Sequence, residues 1–177
     1  KSGSSIVSVL SITSGSSSYY GSVGYYYNTS SYASMEAYNL YFCMPSYGPN
    51  SSYAAARGSQ KIAVLPAFTT AISGVTISFD YKMSSTSNGK LELGYYANGA
   101  FTKLADITSK STTTHYEMSV GSIAAAASAP ATARLALKWY QTTGSSSYYV
   151  GIDNVLVEVT PTCYKPSNLA AVPGTNR

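Results

Sequence analysis

The chain has 177 residues, enough for a single core that buries roughly 70% of the unfolded surface. Only 10% of residues are charged, against about 25% in an average soluble domain. The net charge of +4 is spread over scattered lysines and arginines, which excludes the basic stripe of a nucleic-acid binder, and no apolar run approaches the ~20 residues of a membrane-spanning helix.

In chain order, "SIVSVLSI" (5–12) is apolar but short and interrupted by serines. "SYYGSVGYYYNTS" holds the densest tyrosine cluster of a chain with 18 tyrosines: Tyr19, Tyr20, Tyr25, Tyr26 and Tyr27. Glycines interrupt it, as a loop requires. "YNLYFCM" (38–44) alternates Tyr38, Leu40, Phe42 and Met44 against Asn39, Tyr41 and Cys43. "QKIAVLPAF" (60–68) is a shorter strand candidate ended by Pro66. "VTISFDY" (75–81) sets Val75, Ile77, Phe79 and Tyr81 on one face, with Thr76, Ser78 and Asp80 on the other. "KLELGYY" (90–96) repeats the pattern with Leu91, Leu93 and Tyr95. In "ARLALKWY" (133–140) Leu135, Leu137 and Trp139 alternate with Arg134, Ala136 and Lys138. A period of two along each run marks strands with one buried face.

Turn signals separate these runs: "YGPN" (47–50), "SNGK" (87–90), "ANGA" (97–100) and "TTGSSS" (142–147). Asn-Gly between alternating runs is a strong hairpin cue, so Asn88-Gly89 and Asn98-Gly99 predict a meander of strands 75–83, 91–96 and 101–107. The Ala-rich stretch 123–133 contains Pro130 and lacks an apolar stripe, which predicts a loop or one short turn. Eight to ten such strands in one domain predict an all-β, antiparallel jelly-roll β-sandwich. The domain is expected to span 1–159. Residues 160–177, with three of the seven prolines, read as a linker or the start of a following module.

The last run, "YYVGIDNVLVEV" (148–159), places Asp153 and Asn154 mid-strand, where both residue types are depleted. Two readings are open. Asp153 bonds backbone at a bulge or turn, or the pair offers oxygens to a cation such as Ca2+, which takes six to eight of them in flexible geometry.

Other chemistry is sparse. A Ser-His-Asp arrangement would have to use the single histidine, His115, and no nucleophile-elbow motif accompanies it. A glycosidase needs two carboxylates facing one cleft; Asp80 and Glu92, on the polar faces of neighbouring predicted strands, are the candidate pair, and a solvated sheet face accounts for them equally well. Catalysis is not expected. Trp139, in phase with Leu135 and Leu137, is expected in the core. The tyrosine cluster is the candidate ligand surface, because tyrosine offers a sugar both a stacking face and a hydroxyl. Asn28-Thr29-Ser30 and Asn50-Ser51-Ser52 match the N-glycosylation pattern, as chance allows in a chain this rich in serine and threonine. Cys43 and Cys163 can pair only if their Cα atoms come within about 7 Å, and spacing does not decide between a disulfide and two separate thiols.

The series "KIAVLPAF…ISGVTISFDYKMS", "GKLELGYY…FTKLADI", "ARLALKWY" and "YYVGIDNVLVEVTPTCYKPSNLAA" resembles the cleaved-adhesin or MAM-like jelly-roll modules of secreted Bacteroidota surface proteins. Residues 61–169 carry the likeness. Residues 1–30 have no counterpart of the family's acidic aromatic opening strand. The resemblance implies a secreted or cell-surface, non-catalytic β-sandwich within a larger multidomain precursor. Its expected partners are a glycan or a host or cell-surface protein, and neighbouring domains. It also implies a structural calcium, with Asp153 as ligand and Asn154 in place of the family's second aspartate. A structural spacer or filament-building repeat, its tyrosines packed on neighbouring domains, is the alternative.

Overall fold

A computed structural model describes residues 8–12, 24–26, 41–53 and 57–159, with 8–12, 24–26 and 41 described through their backbone. Ten strands run through them: β1 (Ser8–Ile12), β2 (Gly24–Tyr26), β3 (Tyr41–Tyr47), β4 (Gln60–Val64), β5 (Val75–Met83), β6 (Gly89–Ala97), β7 (Ala100–Ile107), β8 (Thr114–Ser119), β9 (Arg134–Gln141) and β10 (Ser147–Val159). Pairing from β3 onward is nested and antiparallel: β3 with β10, β4 with β9, β5 with β8 and β6 with β7. It is one long hairpin, rolled so that β10 also pairs with β5 and β9 also pairs with β6. Two sheets result, β2-β3-β10-β5-β8 (sheet I) and β1-β4-β9-β6-β7 (sheet II). The architecture is a jelly-roll sandwich, with β1 and β2 added as edge strands.

The alternation seen in the sequence sets the layers. In β5 every odd-numbered residue from Val75 to Met83 is buried, and every even one is partly exposed. Leu91 and Leu93 of β6 and Leu135, Leu137 and Trp139 of β9 meet them from sheet II in one core. Trp139 is fully buried, as its phase predicts, and its indole N–H donates to the Tyr148 carbonyl at 3.3 Å. The Ala-rich stretch supplies only a one-turn helix, α1 (Ala124–Ala127).

The predicted meander is half right. Asn98-Gly99 closes the β6–β7 hairpin with both residues at positive φ, 52° and 79°, the twist a two-residue hairpin needs. β5 and β6, however, lie in opposite sheets. Neither Asn88 nor Gly89 has positive φ, and residues 84–88 carry the chain across the sandwich instead of folding it back. The Asn88 side chain is engaged elsewhere, accepting from Thr143 Oγ1 at 2.6 Å and donating to Ser85 Oγ at 3.4 Å. Gly89 answers a packing need: a Cβ there would overlap the Trp139 indole.

Crossing the sandwich also separates Asp80 from Glu92. They project from the outer faces of different sheets and do not share a cleft. Glu92 is enclosed on sheet II, accepting from Tyr140 at 2.9 Å with Lys138 Nζ 3.6 Å away. Lys138 lies 5.4 and 4.8 Å from the Phe101 and Tyr140 ring centroids. Burial and then the Glu92 carboxylate push the Tyr140 hydroxyl up to about 12.

Candidate functional site

The apolar pattern of β10 changes phase at the polar pair. Val150 and Ile152 face the core before it, and Val155 and Val157 after it, so one extra residue is needed between them to keep both halves on the buried face. Register with β5 shows that residue: Asp153 opposes Asp80, and the next pair is Leu156 with Ser78. Asn154 takes φ 50°, a left-handed conformation that asparagine tolerates better than most residues. Asp153 Oδ1 accepts the Asn154 backbone N–H at 2.8 Å. Asn154 Nδ2 donates to Asp80 Oδ2 at 2.8 Å, and His115 Nδ1 lies 2.7 Å from Asp80 Oδ1. The strand bends at this point, and its polar pair organises a network on the outer face of sheet I.

For a cation, this network supplies two carboxylates on paired strands and an amide side chain beside them. Among the described residues no group of three or more His, Cys, Asp and Glu is arranged to hold a metal ion. The side chains therefore fit at most a partial Ca2+ shell completed by water and backbone.

A second feature lies at one end of the sandwich, where the β3–β4 connection (48–59) meets the β9–β10 connection (142–146). Gly48 N–H donates to the Ser146 carbonyl (3.3 Å) and Asn50 N–H to the Gly144 carbonyl (3.1 Å), extending the β3–β10 ladder past the sheet. A Cβ on Gly48 would strike the Gly144 carbonyl, so the approach requires glycine. The described parts of the longer connection, 48–53 and 57–59, bond to one another. Ser51 and Gly58 N–H both donate to the Gly48 carbonyl at 3.1 and 3.4 Å, Tyr53 N–H to Ser51 Oγ at 3.2 Å, and Arg57 Nε to the Ser51 carbonyl at 2.6 Å.

Between the two connections opens a cleft of about 490 Å3. Tyr47 and Tyr53 meet edge to face there, ring centroids 5.8 Å apart and planes at 74°. Asn50 and Ser52 line it from one connection, and Ser145, Ser146 and Ser147 from the other side. Tyr53 is 58% exposed. No charged residue is among the described residues lining it.

Of the residues singled out by sequence, Asp153 and Asn154 meet Asp80 and His115. Tyr25 and Tyr26 lie in β2, in register with Phe42 and Tyr41 of β3, while Tyr19, Tyr20 and Tyr27 fall outside the described residues, as do Cys163 and the 160–177 segment. Among the described residues Cys43 is a free, fully buried thiol, and burial pushes it up to about 12. Tyr47 and Tyr53 escaped the sequence reading because "YGPN" signals a turn and Asn50-Ser51-Ser52 a glycan acceptor. What marks the site is the meeting of "YGPNSSY" with "GSSS", two turn-like stretches almost a hundred residues apart.

No family model matches the chain, and no curated protein does. Among solved structures it is similar to a family 11 carbohydrate-binding module from Clostridium thermocellum in complex with a β-1,3-1,4-mixed-linked tetrasaccharide (13% identity, 86% of this chain and 88% of that one, TM-score 0.46). It is also similar to the N-terminal cellulose-binding domain of Cellulomonas fimi β-1,4-glucanase C (15% identity, 72% and 83%, TM-score 0.39). A third is the active domain of tailspike protein 4 of bacteriophage CBA120 (10%, TM-score 0.48), of which this chain covers 20% while 88% of its own length is matched. Likenesses at this level extend to general sandwich shape and carry nothing about ligand or activity.

Proposed function

We propose that this chain is a non-catalytic, carbohydrate-binding module of a larger secreted or cell-surface protein. The observation that carries the reading is the uncharged cleft of Tyr47 and Tyr53. It joins ring surface, which packs on the C–H face of a sugar, with amide and hydroxyl groups that match sugar hydroxyls. Catalysis has no comparable support: Asp80 and Glu92 face away from each other across the sandwich, and Asp80 contacts His115 and Asn154. The extracellular setting, the multidomain precursor and kinship with cleaved-adhesin modules follow from the sequence resemblance and belong to the same proposal. A glycan array probed with the purified chain tests it: binding to a defined subset of glycans is expected, and a blank array at saturating protein rejects it in favour of a structural spacer.

Calcium at Asp153 and Asn154 is a separate proposal, supported by the second carboxylate that Asp80 brings across the strand pair. EDTA is expected to lower the melting temperature of the native chain and to leave that of Asp153→Ala unchanged. Equal melts of the native chain with and without EDTA reject it.

A further inference from the structure

Resting on the carbohydrate-binding reading, we infer that the cleft takes an uncharged sugar ring stacked on Tyr53, and that it does so without a metal ion. Three observations lead there. Electroneutrality is the first. A sialic or uronic acid carboxylate is normally met by a charged fork or a lysine, whereas the described lining is tyrosine, asparagine and serine. The nearest cation in sequence, Arg57, is turned back on its own loop by its 2.6 Å bond to the Ser51 carbonyl.

The second is distance. Ser147 at the cleft and Asp153 at the bulge are six residues apart on one strand, which at about 3.3 Å per residue is roughly 20 Å. An ion at Asp153 cannot share ligands with a sugar at Tyr53, and the cleft's described lining has no carboxylate to hold one of its own. Sugar recognition and any calcium effect are therefore independent properties.

The third is rigidity. The cleft is bounded by the described residues 48–53, which backbone bonds tie at Gly48 and across to Gly144 and Ser146. Its volume of about 490 Å3 lies within the roughly 300–1,000 Å3 of small-molecule sites. A site already formed loses less ordering entropy on binding. Tyr53 is the exposed partner of the ring pair and supplies the stacking surface; Tyr47 buttresses it edge-on.

The test is a glycan array that pairs neutral oligosaccharides ending in glucose, galactose, mannose or N-acetylhexosamine with sialylated and uronic-acid counterparts, probed with and without EDTA. The native chain should bind neutral members, equally in EDTA. Tyr53→Ala should lose at least tenfold in affinity for the same glycans with an unchanged melt, and Tyr53→Phe, which keeps the ring, should stay within about threefold of native. Binding confined to acidic glycans, or abolished by EDTA, overturns the inference. So does full binding by Tyr53→Ala, an outcome that leaves the carbohydrate-binding function standing and moves its site. A blank array for the native chain removes function and inference together.

Discussion

The bulge network at Asp153 and the cleft at Tyr53 share a sheet and differ in where their polar groups point. At the bulge, polar side chains from three strands meet: Asp80 holds both His115 and Asn154, and Asp153 holds the backbone that follows it. At the cleft, backbone groups tie the two connections together, and serines, an asparagine and a pair of tyrosines, one of them exposed, line the cavity. The bulge consumes its chemistry in shaping a strand, and the cleft builds its shape first and presents chemistry afterwards. Conspicuous residue types in a sequence can therefore belong to the fold, while a cleft is assembled from residues that look like ordinary turns.

The comparison can be broken most forcefully at Gly48. A methyl group there meets the Gly144 carbonyl, and backbone cannot yield as a side chain does, so Gly48→Ala should cost about 3 kcal/mol in urea unfolding, at the upper end of overpacking effects. It should also abolish glycan binding. A variant that folds normally and still binds would show that the two connections do not need their close approach.

At the bulge the expected effects are smaller. Asn154→Ala keeps a Cβ at φ 50° and loses the bond to Asp80, so about 2 kcal/mol should be lost. Asn154→Gly loses the same bond and is relieved of the backbone cost, which should hold its loss below about 1 kcal/mol. The gap between the two variants measures the left-handed residue itself. Equal losses would mean that the side-chain network, not the bend, sets the energy, and the contrast with the cleft would narrow.

The shared core supplies a control for both regions. Burial lowers Lys61, on the inward face of β4, from its ordinary 10.5 to about 8. Between those values the unfolded chain carries a proton that the native state lacks, so stability rises with pH. Cys43 acts oppositely, raised by burial from 9.0 to about 12, because above pH 9 the native state holds a proton the unfolded chain has released. Stability should therefore climb by about 1 kcal/mol from pH 8 to 9 and level off above it. Lys61→Met should flatten the climb. A profile that falls between pH 8 and 9 would contradict the burial of Lys61.

Much of this architecture was legible in the sequence, and the losses have identifiable physical causes. The alternation in "VTISFDYKM" gave β5 with both faces correctly assigned, because a sheet with one buried face writes its period directly into the chain. Trp139 was placed in the core by phase alone. Asn-Gly failed as a cue at Asn88 because a jelly roll must pass between sheets after β5, and the asparagine is held by Thr143 and Ser85 instead of turning a hairpin. β8, "THYEMS", escaped notice because only Tyr116 and Met118 pack inward from an edge strand. At the candidate site, the slip from Val150 and Ile152 to Val155 and Val157 already encoded a bulge, and that pattern favours the backbone-bonding reading of Asp153. The cleft was invisible for a different reason: its two halves come together only through the pairing of β3 with β10.

The smallest expected effect bears most directly on which region meets a ligand. His115 is the outermost member of the bulge network, its side chain 60% exposed beside an Asp80 that is 21% exposed. A polar contact this accessible to water is worth little, so His115→Ala should shift stability by a few tenths of a kcal/mol. Its effect on glycan binding should be nil, because Asp153, which shares the row with Asp80 and His115, is roughly 20 Å along β10 from the cleft. The same substitution on a sugar-binding outer face of sheet I would behave otherwise, removing a polar contact from the centre of the site and weakening every glycan bound. A His115→Ala chain that melts like the native protein yet loses its array signal would move recognition from the cleft to the bulge face. Unchanged binding, set beside the tenfold loss expected for Tyr53→Ala, would fix the division of labour between the two regions.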